Sequence, residues 1–144
     1  HRRRSGIIIH IWHDDTLRAV FVHHGGEVVN STGDGFFVAF DSASAAIACA
    51  KAVQRALAEQ RQTQGFAPAV RIGVHSAVAT RRGSDYSGKE IHVAARIAAL
   101  AQGGEILAST ATTTLAGSQP TSEPRSVSLK GLTSDVNVVS IAWN

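Results

Sequence analysis

The chain has 144 residues, of which 44% are hydrophobic, and it carries 14 Lys and Arg, 11 Asp and Glu, and one cysteine, Cys49. This length suits one domain with one core, and a single thiol excludes an internal disulfide framework and a cysteine-based zinc site. No apolar run approaches the roughly 20 residues of a membrane span, and no signal peptide is recognisable. We therefore expect a soluble, cytoplasmic domain in which Cys49 is an inert residue of an Ala-rich helix.

The formal net charge of +3 comes largely from two short basic clusters, Arg2 to Arg4 and Arg81-Arg82. Clustered basic residues can bind nucleic-acid phosphates. Clusters at a chain terminus and before a loop are more typical of solvated charge. We therefore predict no nucleic-acid partner.

The first third of the chain alternates strand and helix patterns. The apolar, β-branched stretch from Ile7 to Ile11 predicts a short buried strand. A helix follows, with Asp14 as its N-cap, Gly25-Gly26 as its stop, and helical spacing of Leu17, Val20, Phe21 and His24. The runs Glu27 to Thr32 and Gly35 to Phe40 then predict a hairpin joined by Gly33-Asp34.

The middle of the chain predicts two long helices around a strand. The first helix has Asp41 as its cap, ends at about Gln60, and buries the stripe formed by Ile47, Ala50, Val53 and Leu57. A strand from Val70 to His75 continues weakly through Val78, and a polar loop from Arg81 to Gly88 follows it. The second helix spans Glu90 to Ala101 and turns these residues inward: Ile91, Ala94, Ala95 and Ala98.

The C-terminal part predicts a strand from Glu105 to Ala108, a helical turn from Ser109, and two closing strands, Val127 to Leu129 and Asn137 to Trp143. This order of elements predicts an α+β fold. We expect a ferredoxin-like βαββαβ core with additional C-terminal strands and with helices on one face of a mainly antiparallel sheet.

The sharpest chemical feature is Asp34, which lies between Gly33 and Gly35 at the hairpin turn. A carboxylate on a tight turn between two strands suits a hard divalent cation. Gly-Asp-Gly is equally typical of a plain turn. The residues alone leave both interpretations open.

Four segments, in this order along the chain, resemble class III nucleotide cyclases. They are the hairpin Gly26 to Phe40, the strand Val70 to His75, the loop and helix Asp85 to Ile97, and the late motif Leu129-Lys130-Gly131. The resemblance covers nearly everything from Gly25 onwards and is nearest to bacterial adenylyl cyclase catalytic domains. It implies that residues 1–144 form a single cyclase catalytic domain, excised from a longer multidomain chain.

The resemblance implies a lyase reaction that converts ATP into 3′,5′-cyclic AMP and pyrophosphate for signal transduction. The 3′-hydroxyl attacks the α-phosphate with the help of two divalent ions, Mg²⁺ or Mn²⁺. Asp34 matches the second of the family's two metal-binding aspartates. The family's sites lie between two chains, so the resemblance also implies a homodimer with its active sites at the interface.

The resemblance assigns further roles by position. Asp85 matches the aspartate that accepts a hydrogen bond from the adenine amino group, and Asn30 stands where a lysine is usual, which weakens base discrimination. Arg96 matches the arginine that stabilises charge on the α-phosphate, and Lys130 matches the lysine that binds the terminal phosphates. His92 replaces the usual asparagine one helical turn before Arg96.

The resemblance departs from the family at the first strand. The family carries its other metal aspartate there in a Phe-Thr-Asp-Ile-like stretch, followed by a phosphate-binding turn and a long helix. Here Ile7 to Ile11 proceeds directly to Trp12-His13-Asp14-Asp15. We favour a segment absent from this sequence over a true loss, and we interpret Asp14 and Asp15 as a helix cap.

Two alternatives stay open. A catalytically impaired cyclase-like domain would bind nucleotide or regulate a partner, and an RNA-binding module would share the ferredoxin-like sheet. The RNA interpretation is the weaker one, because the run from Asp34 to Phe40 lacks the basic and small residues of the aromatic RNA-binding signature. The histidines at 10, 13, 23 and 24 lack zinc-site spacing, and the sequence contains neither a Gly-x-Ser-x-Gly elbow nor a phosphate loop.

Overall fold

A computed structural model describes residues 3–12, 17–32, 35–65, 70–80, 88–117, 120–129 and 135–143. Within these ranges the chain forms seven strands and four helices. In chain order they are β1 (Arg3–Trp12), α1 (Arg18–His23), β2 (Glu27–Thr32), β3 (Gly35–Phe40), α2 (Ala43–Gln64), β4 (Ile72–Thr80), α3 (Gly88–Leu100), β5 (Ile106–Ser109), α4 (Thr110–Ala116), β6 (Arg125–Val127) and β7 (Val136–Ser140).

The strands form one sheet in the order β2-β3-β1-β4-β5-β7-β6. All neighbouring strands pair antiparallel except β4 and β5, which pair parallel. The first six elements, from β1 to β4, give the βαββαβ core with its strands in the order β2-β3-β1-β4, and the later strands extend it beyond β4. The α+β class and the ferredoxin-like core predicted from the sequence are therefore confirmed.

The helices cover both faces of this sheet. Ile106 and Ala108 of β5 belong to a core cluster with α1 and α2, whereas Leu107 between them packs with Val93 and Ile97 of α3. Successive residues of a strand point to opposite faces. The expectation of helices on one face is thus correct for α1 and α2 and wrong for α3, because α3 is the crossover that joins the parallel strands β4 and β5 and it uses the other face.

Helix α2 is the longest element, and its buried stripe is as predicted: Ile47, Ala50, Val53 and Leu57 are each at most 3% exposed. Its N-cap is Ser42, whose Oγ accepts a hydrogen bond from the Ala45 amide at 3.0 Å. The predicted cap, Asp41, is wrong, because Ser42 is the extended residue directly before the first turn. The helix also runs past Gln60 to Gln64 and ends at Gly65, in the left-handed region at φ 78°.

A buried amide fastens α2 to the sheet. Gln54 is fully buried, and its Nε2 donates to the carbonyl oxygens of Val70 at 3.1 Å and Glu105 at 3.4 Å. Val70 lies two residues before β4, and Glu105 directly precedes β5. The side chain therefore fixes the height at which both strands begin beneath α2.

The N-terminal helix ends just before Gly25-Gly26, its predicted stop. Helix α1 spans six residues with Leu17 as its N-cap, and the predicted cap, Asp14, lies outside the described residues. Of the helices in the described ranges, none combines the length and apolarity of a membrane span.

Candidate active site

Helix α3 carries two of the predicted site residues. Its inner side is apolar, with Val93, Ala94, Ile97, Ala98 and Ala101 all buried. Arg96 is half-buried, and His92 lies four residues earlier in the same helix. Residues four apart share a face of a helix, so the structure places these two positions together, as their spacing predicts.

The backbone of α3 lies directly on the backbone of β4 at Gly73. A Cβ atom added there would lie 2.7 Å from the Ala94 carbonyl oxygen and 2.8 Å from Ala98 Cα, closer than real Cβ atoms approach. Only glycine permits so close a contact between helix and strand. The position of α3, and with it that of Arg96, is therefore set by this contact.

The sheet register places Asn30, the predicted base-reading residue, in line with Gly73, where α3 contacts β4. Asn30 pairs with Phe37, which pairs with His10, which pairs with Gly73. Three strand spacings separate β2 from β4, or about 14 Å. Asn30 and the support of α3 thus lie at one level of the sheet, with Asn30 on the edge strand.

The hairpin that contains Asp34 meets the end of β1. Thr32 pairs with Gly35, and Gly35 also pairs with Trp12, the last residue of β1. Asp34 lies outside the described residues, so its role as a metal ligand stays a prediction. The ten residues of β1 include no carboxylate, and the described residues hold no group of three or more His, Cys, Asp or Glu that could bind a metal ion.

The residue before the predicted phosphate-binding lysine is anchored beneath α3. Leu129 is 4% exposed and belongs to an apolar group that we call the α3 cluster. Its members are Val93, Ile97, Ala101, Leu107, Leu129 and Val138. Lys130 and Asp85 lie outside the described residues, but Leu129 links the approach to Lys130 with the helix that carries Arg96.

Known structures share this architecture. No family model matches the sequence. The guanylyl cyclase Cya2 superposes with a TM-score of 0.81 at 24% identity, over 98% of this chain and 93% of that chain. The adenylyl cyclase CyaB from P. aeruginosa gives a TM-score of 0.74 at 18% identity, over 98% of this chain and 95% of that chain.

The chain has the fold of a class III nucleotide cyclase catalytic domain. The resemblance drawn from the sequence is thereby confirmed. Among curated proteins, "Putative adenylate cyclase 3" of Rhizobium meliloti (strain 1021) is 40% identical over 85 residues, which is 58% of this chain. The chain spans 14% of the length of that protein and 33% of the length of the mycobacterial relatives that it matches.

The sequence interpretation of this cyclase-fold domain missed how α3 is held. Ala94 and Ala98 are buried as predicted and Ala95 is half-buried, but Val93 and Ile97, which form the α3 cluster, were not among the predicted inward residues. The contact at Gly73 was also missed. Its one sequence signal is a glycine inside an apolar strand, which is typical of a close backbone approach.

A thiol and a surface cleft, both on α2, are further candidate functional features of the domain. Burial raises the pKa of Cys49 to about 12, so this thiol is protonated and unreactive, as expected. A cleft of about 400 Å³ lies over α2, and His24, Ser44, Lys51 and Arg55 are among the described residues that line it. Those lining residues include none of the predicted site residues.

Proposed function

We propose that this domain converts ATP into 3′,5′-cyclic AMP and pyrophosphate at sites formed between two copies of the chain. The observation that carries the proposal is the close contact of α3, the helix that carries half-buried Arg96, with a sheet of the cyclase fold. The relative named as an adenylate cyclase supports the choice of ATP. The similar structures include both adenylyl and guanylyl cyclases, so the base preference rests on Asp85 and Asn30.

In the proposed reaction, the 3′-hydroxyl gives its proton to solvent water and its oxygen bonds to the α-phosphorus, while the bond from that phosphorus to the bridging oxygen breaks and pyrophosphate leaves. Negative charge builds on the α-phosphate as this happens. The Arg96 guanidinium is a fixed positive charge that stabilises it, and half-burial strengthens the interaction relative to bulk water. His92 adds a hydrogen bond from the same helix, and Lys130 holds the terminal phosphates.

Base selection is proposed for Asp85 and Asn30. A carboxylate accepts a hydrogen bond from the amino group of adenine, whereas guanine presents a carbonyl oxygen at that place and is repelled. The amide of Asn30 can donate and accept, and it lacks the charge of the usual lysine. We therefore expect a preference for ATP over GTP that is real but incomplete.

Asp34 is the residue proposed to hold Mg²⁺ or Mn²⁺. When bound, the ions lower the barrier by stabilising the attacking and leaving oxygens. The second carboxylate that the family supplies is not found in β1. This observation favours a second candidate function, a cyclase-like domain that binds ATP without turning it over.

The first experiment measures cyclic AMP by chromatography after incubation with ATP and either Mn²⁺ or Mg²⁺. We expect product from the wild-type chain and a roughly 100- to 1,000-fold lower kcat for Arg96→Ala, the usual cost of losing one transition-state donor. Arg125→Ala is the matched control, because Arg125 is an exposed arginine on the edge strand β6. Equal activity of the Arg96 and Arg125 variants would remove Arg96 from the mechanism.

The second experiment separates the two candidate functions. ATP binding is measured by calorimetry alongside turnover, for the wild-type chain and for Asp34→Ala. Wild-type turnover that Asp34→Ala abolishes supports the cyclase. Tight ATP binding with no cyclic AMP at any metal concentration supports the binding domain instead.

The third experiment tests the shared site. Asp34→Ala and Arg96→Ala each retain at most about 1% of wild-type activity if both residues act. Random pairing of the two variants makes half of the dimers mixed, and each mixed dimer regains one of its two sites, so about one quarter of wild-type activity returns on mixing. Activity that stays absent after mixing would place both residues in a site within one chain.

A further inference from the structure

Gly73 differs in its surroundings from Gly26, another glycine whose added Cβ atom would meet neighbouring atoms at close range. The three nearest atoms to a Cβ at Gly73 are all backbone atoms of α3, from Ala94 and Ala98. At Gly26 the corresponding atoms belong to the side chains of Phe40 and Val38, which can rotate away. A backbone cannot rotate away, so a methyl group at position 73 moves the whole helix.

The size of that movement follows from the contact distances. Ordinary van der Waals contact begins at 3.4 Å, and the added methyl group would lie 2.7 Å from the Ala94 carbonyl oxygen. Helix α3 must therefore rise by roughly 1 Å, since packed interiors leave no spare volume. Arg96 lies between the two contact residues in sequence, so it moves with them.

We infer that Gly73 is the positioning residue for Arg96, and this inference rests on the proposed cyclase function. Gly73 touches no substrate; it sets the height of α3 above β4 and hence the place of the guanidinium. A misplacement of about 1 Å at a reacting centre can lower the rate by about 100-fold. Because Arg96 acts on charge that develops in the transition state, the loss falls on kcat and leaves KM for ATP nearly unchanged.

The test compares Gly73→Ala with Leu57→Ala, which removes core volume under α2 and leaves the contact of α3 with β4 intact. Both are assayed at a temperature where circular dichroism shows them folded. We expect Gly73→Ala to lose about 100-fold in kcat with KM unchanged, and Leu57→Ala to keep both constants. Equal kcat values for the two variants, or a rise in KM alone for Gly73→Ala, would overturn the inference.

Mixing experiments give a readout that general destabilisation does not move. Gly73→Ala mixed with Asp34→Ala should regain activity, because one site then combines an intact Asp34 with a correctly placed Arg96. Gly73→Ala mixed with Arg96→Ala should not, because both defects fall on the same group. Recovery in the second mixture would refute the link between Gly73 and Arg96.

A milder change in α3 and a structure of the Gly73 variant test the position of the helix directly. If Gly73→Ala does not fold, Ile97→Val is used instead, because the smaller side chain lets α3 move slightly towards the sheet without unfolding the domain. We expect a several-fold fall in kcat at constant KM. An unchanged kcat counts against the inference. A crystal structure of Gly73→Ala should show α3 displaced by about 1 Å. A wild-type chain that makes no cyclic AMP refutes the proposed function, whereas an unmoved helix refutes the role of Gly73.

Discussion

Leu129→Ala tests whether the α3 cluster holds the phosphate-binding loop in place. Leu129 is 4% exposed and packs with Val93, Ile97 and Val138, and it directly precedes Lys130. Removing a buried leucine side chain costs both its transfer free energy and the cavity it leaves. The chain beyond β6 can partly collapse into that space, so we expect a loss of about 2–4 kcal/mol in the free energy of unfolding.

The same change should weaken substrate binding. Once Leu129 no longer anchors the chain, binding ATP must order the backbone at Lys130, at a cost of about 1–2 kcal/mol. This corresponds to a rise in KM of roughly 5- to 30-fold. The unfolding temperature should fall by roughly 5–15 °C for a domain of this size.

The assay combines thermal unfolding by circular dichroism with initial rates at a temperature where the variant is fully folded. Val138→Ala is the matched control, because Val138 belongs to the same cluster but lies on β7, away from Lys130 in the chain. We expect both variants to lose stability and only Leu129→Ala to raise KM. A normal KM in Leu129→Ala, despite the lost stability, would show that the cluster does not position Lys130.

Three further predictions concern the frame around the site. Ser42→Ala should lower the free energy of unfolding by about 1 kcal/mol, and Asp41→Ala by clearly less, because Ser42 makes the cap bond; urea unfolding compares them. Burial raises the pKa of Cys49 from 9.0 to about 12. As the pH rises, the thiol therefore loses its proton in the unfolded chain before it does so in the folded chain. Between pH 9 and 12 the free energy of unfolding should fall by at most about 1.4 kcal/mol per pH unit. Cys49→Ala should remove this contribution to the pH dependence of stability, as measured by urea unfolding at alkaline pH. Gln54→Leu should change the free energy of unfolding by less than about 1.5 kcal/mol, because the Val70 and Glu105 carbonyls keep backbone partners. Gln54→Glu instead buries an acid that faces those carbonyls, and it should lose several kcal/mol of stability as the pH rises above about 4.3. Chemical unfolding at pH 4 and pH 8 distinguishes the two variants.

The elements predicted most closely are those fixed by local patterns. The bounds of β2 and β3 agree residue for residue with the sequence prediction, because strand-forming residues on both sides of Gly33-Asp34 define a hairpin without outside help. The stripe of α2 is equally local. By contrast, β1 begins at Arg3 and β4 extends to Thr80, and these two ends pair with each other. Neither extension can be predicted from its own segment, because each depends on a partner strand that is distant in the sequence: Arg3 pairs with Thr80, about 77 positions later.

The candidate site likewise combines local features, which the sequence predicts, with tertiary contacts, which it does not. The shared helix face of His92 and Arg96 follows from their four-residue spacing and from a local helical pattern, so the sequence predicts it. The support of α3 was not predicted, since it depends on which face the crossover between β4 and β5 takes and on a glycine in a different element. Such contacts are tertiary, and a sequence pattern indicates only that Gly73 interrupts an apolar strand.

The two halves of the proposed site therefore differ in how firmly the chain supports them. The phosphate half rests on α3, which is held by Gly73 and the α3 cluster. The metal half rests on Asp34, which lies outside the described residues, and the central strand β1 brings no carboxylate. If turnover is weak, the metal half is the cause, and ATP binding should still depend on Lys130, which is proposed to hold the terminal phosphates, while responding little to added Mn²⁺. A chain whose ATP affinity rises steeply with Mn²⁺ and is unchanged by Lys130→Ala would reverse this order and show that the metal half carries the binding.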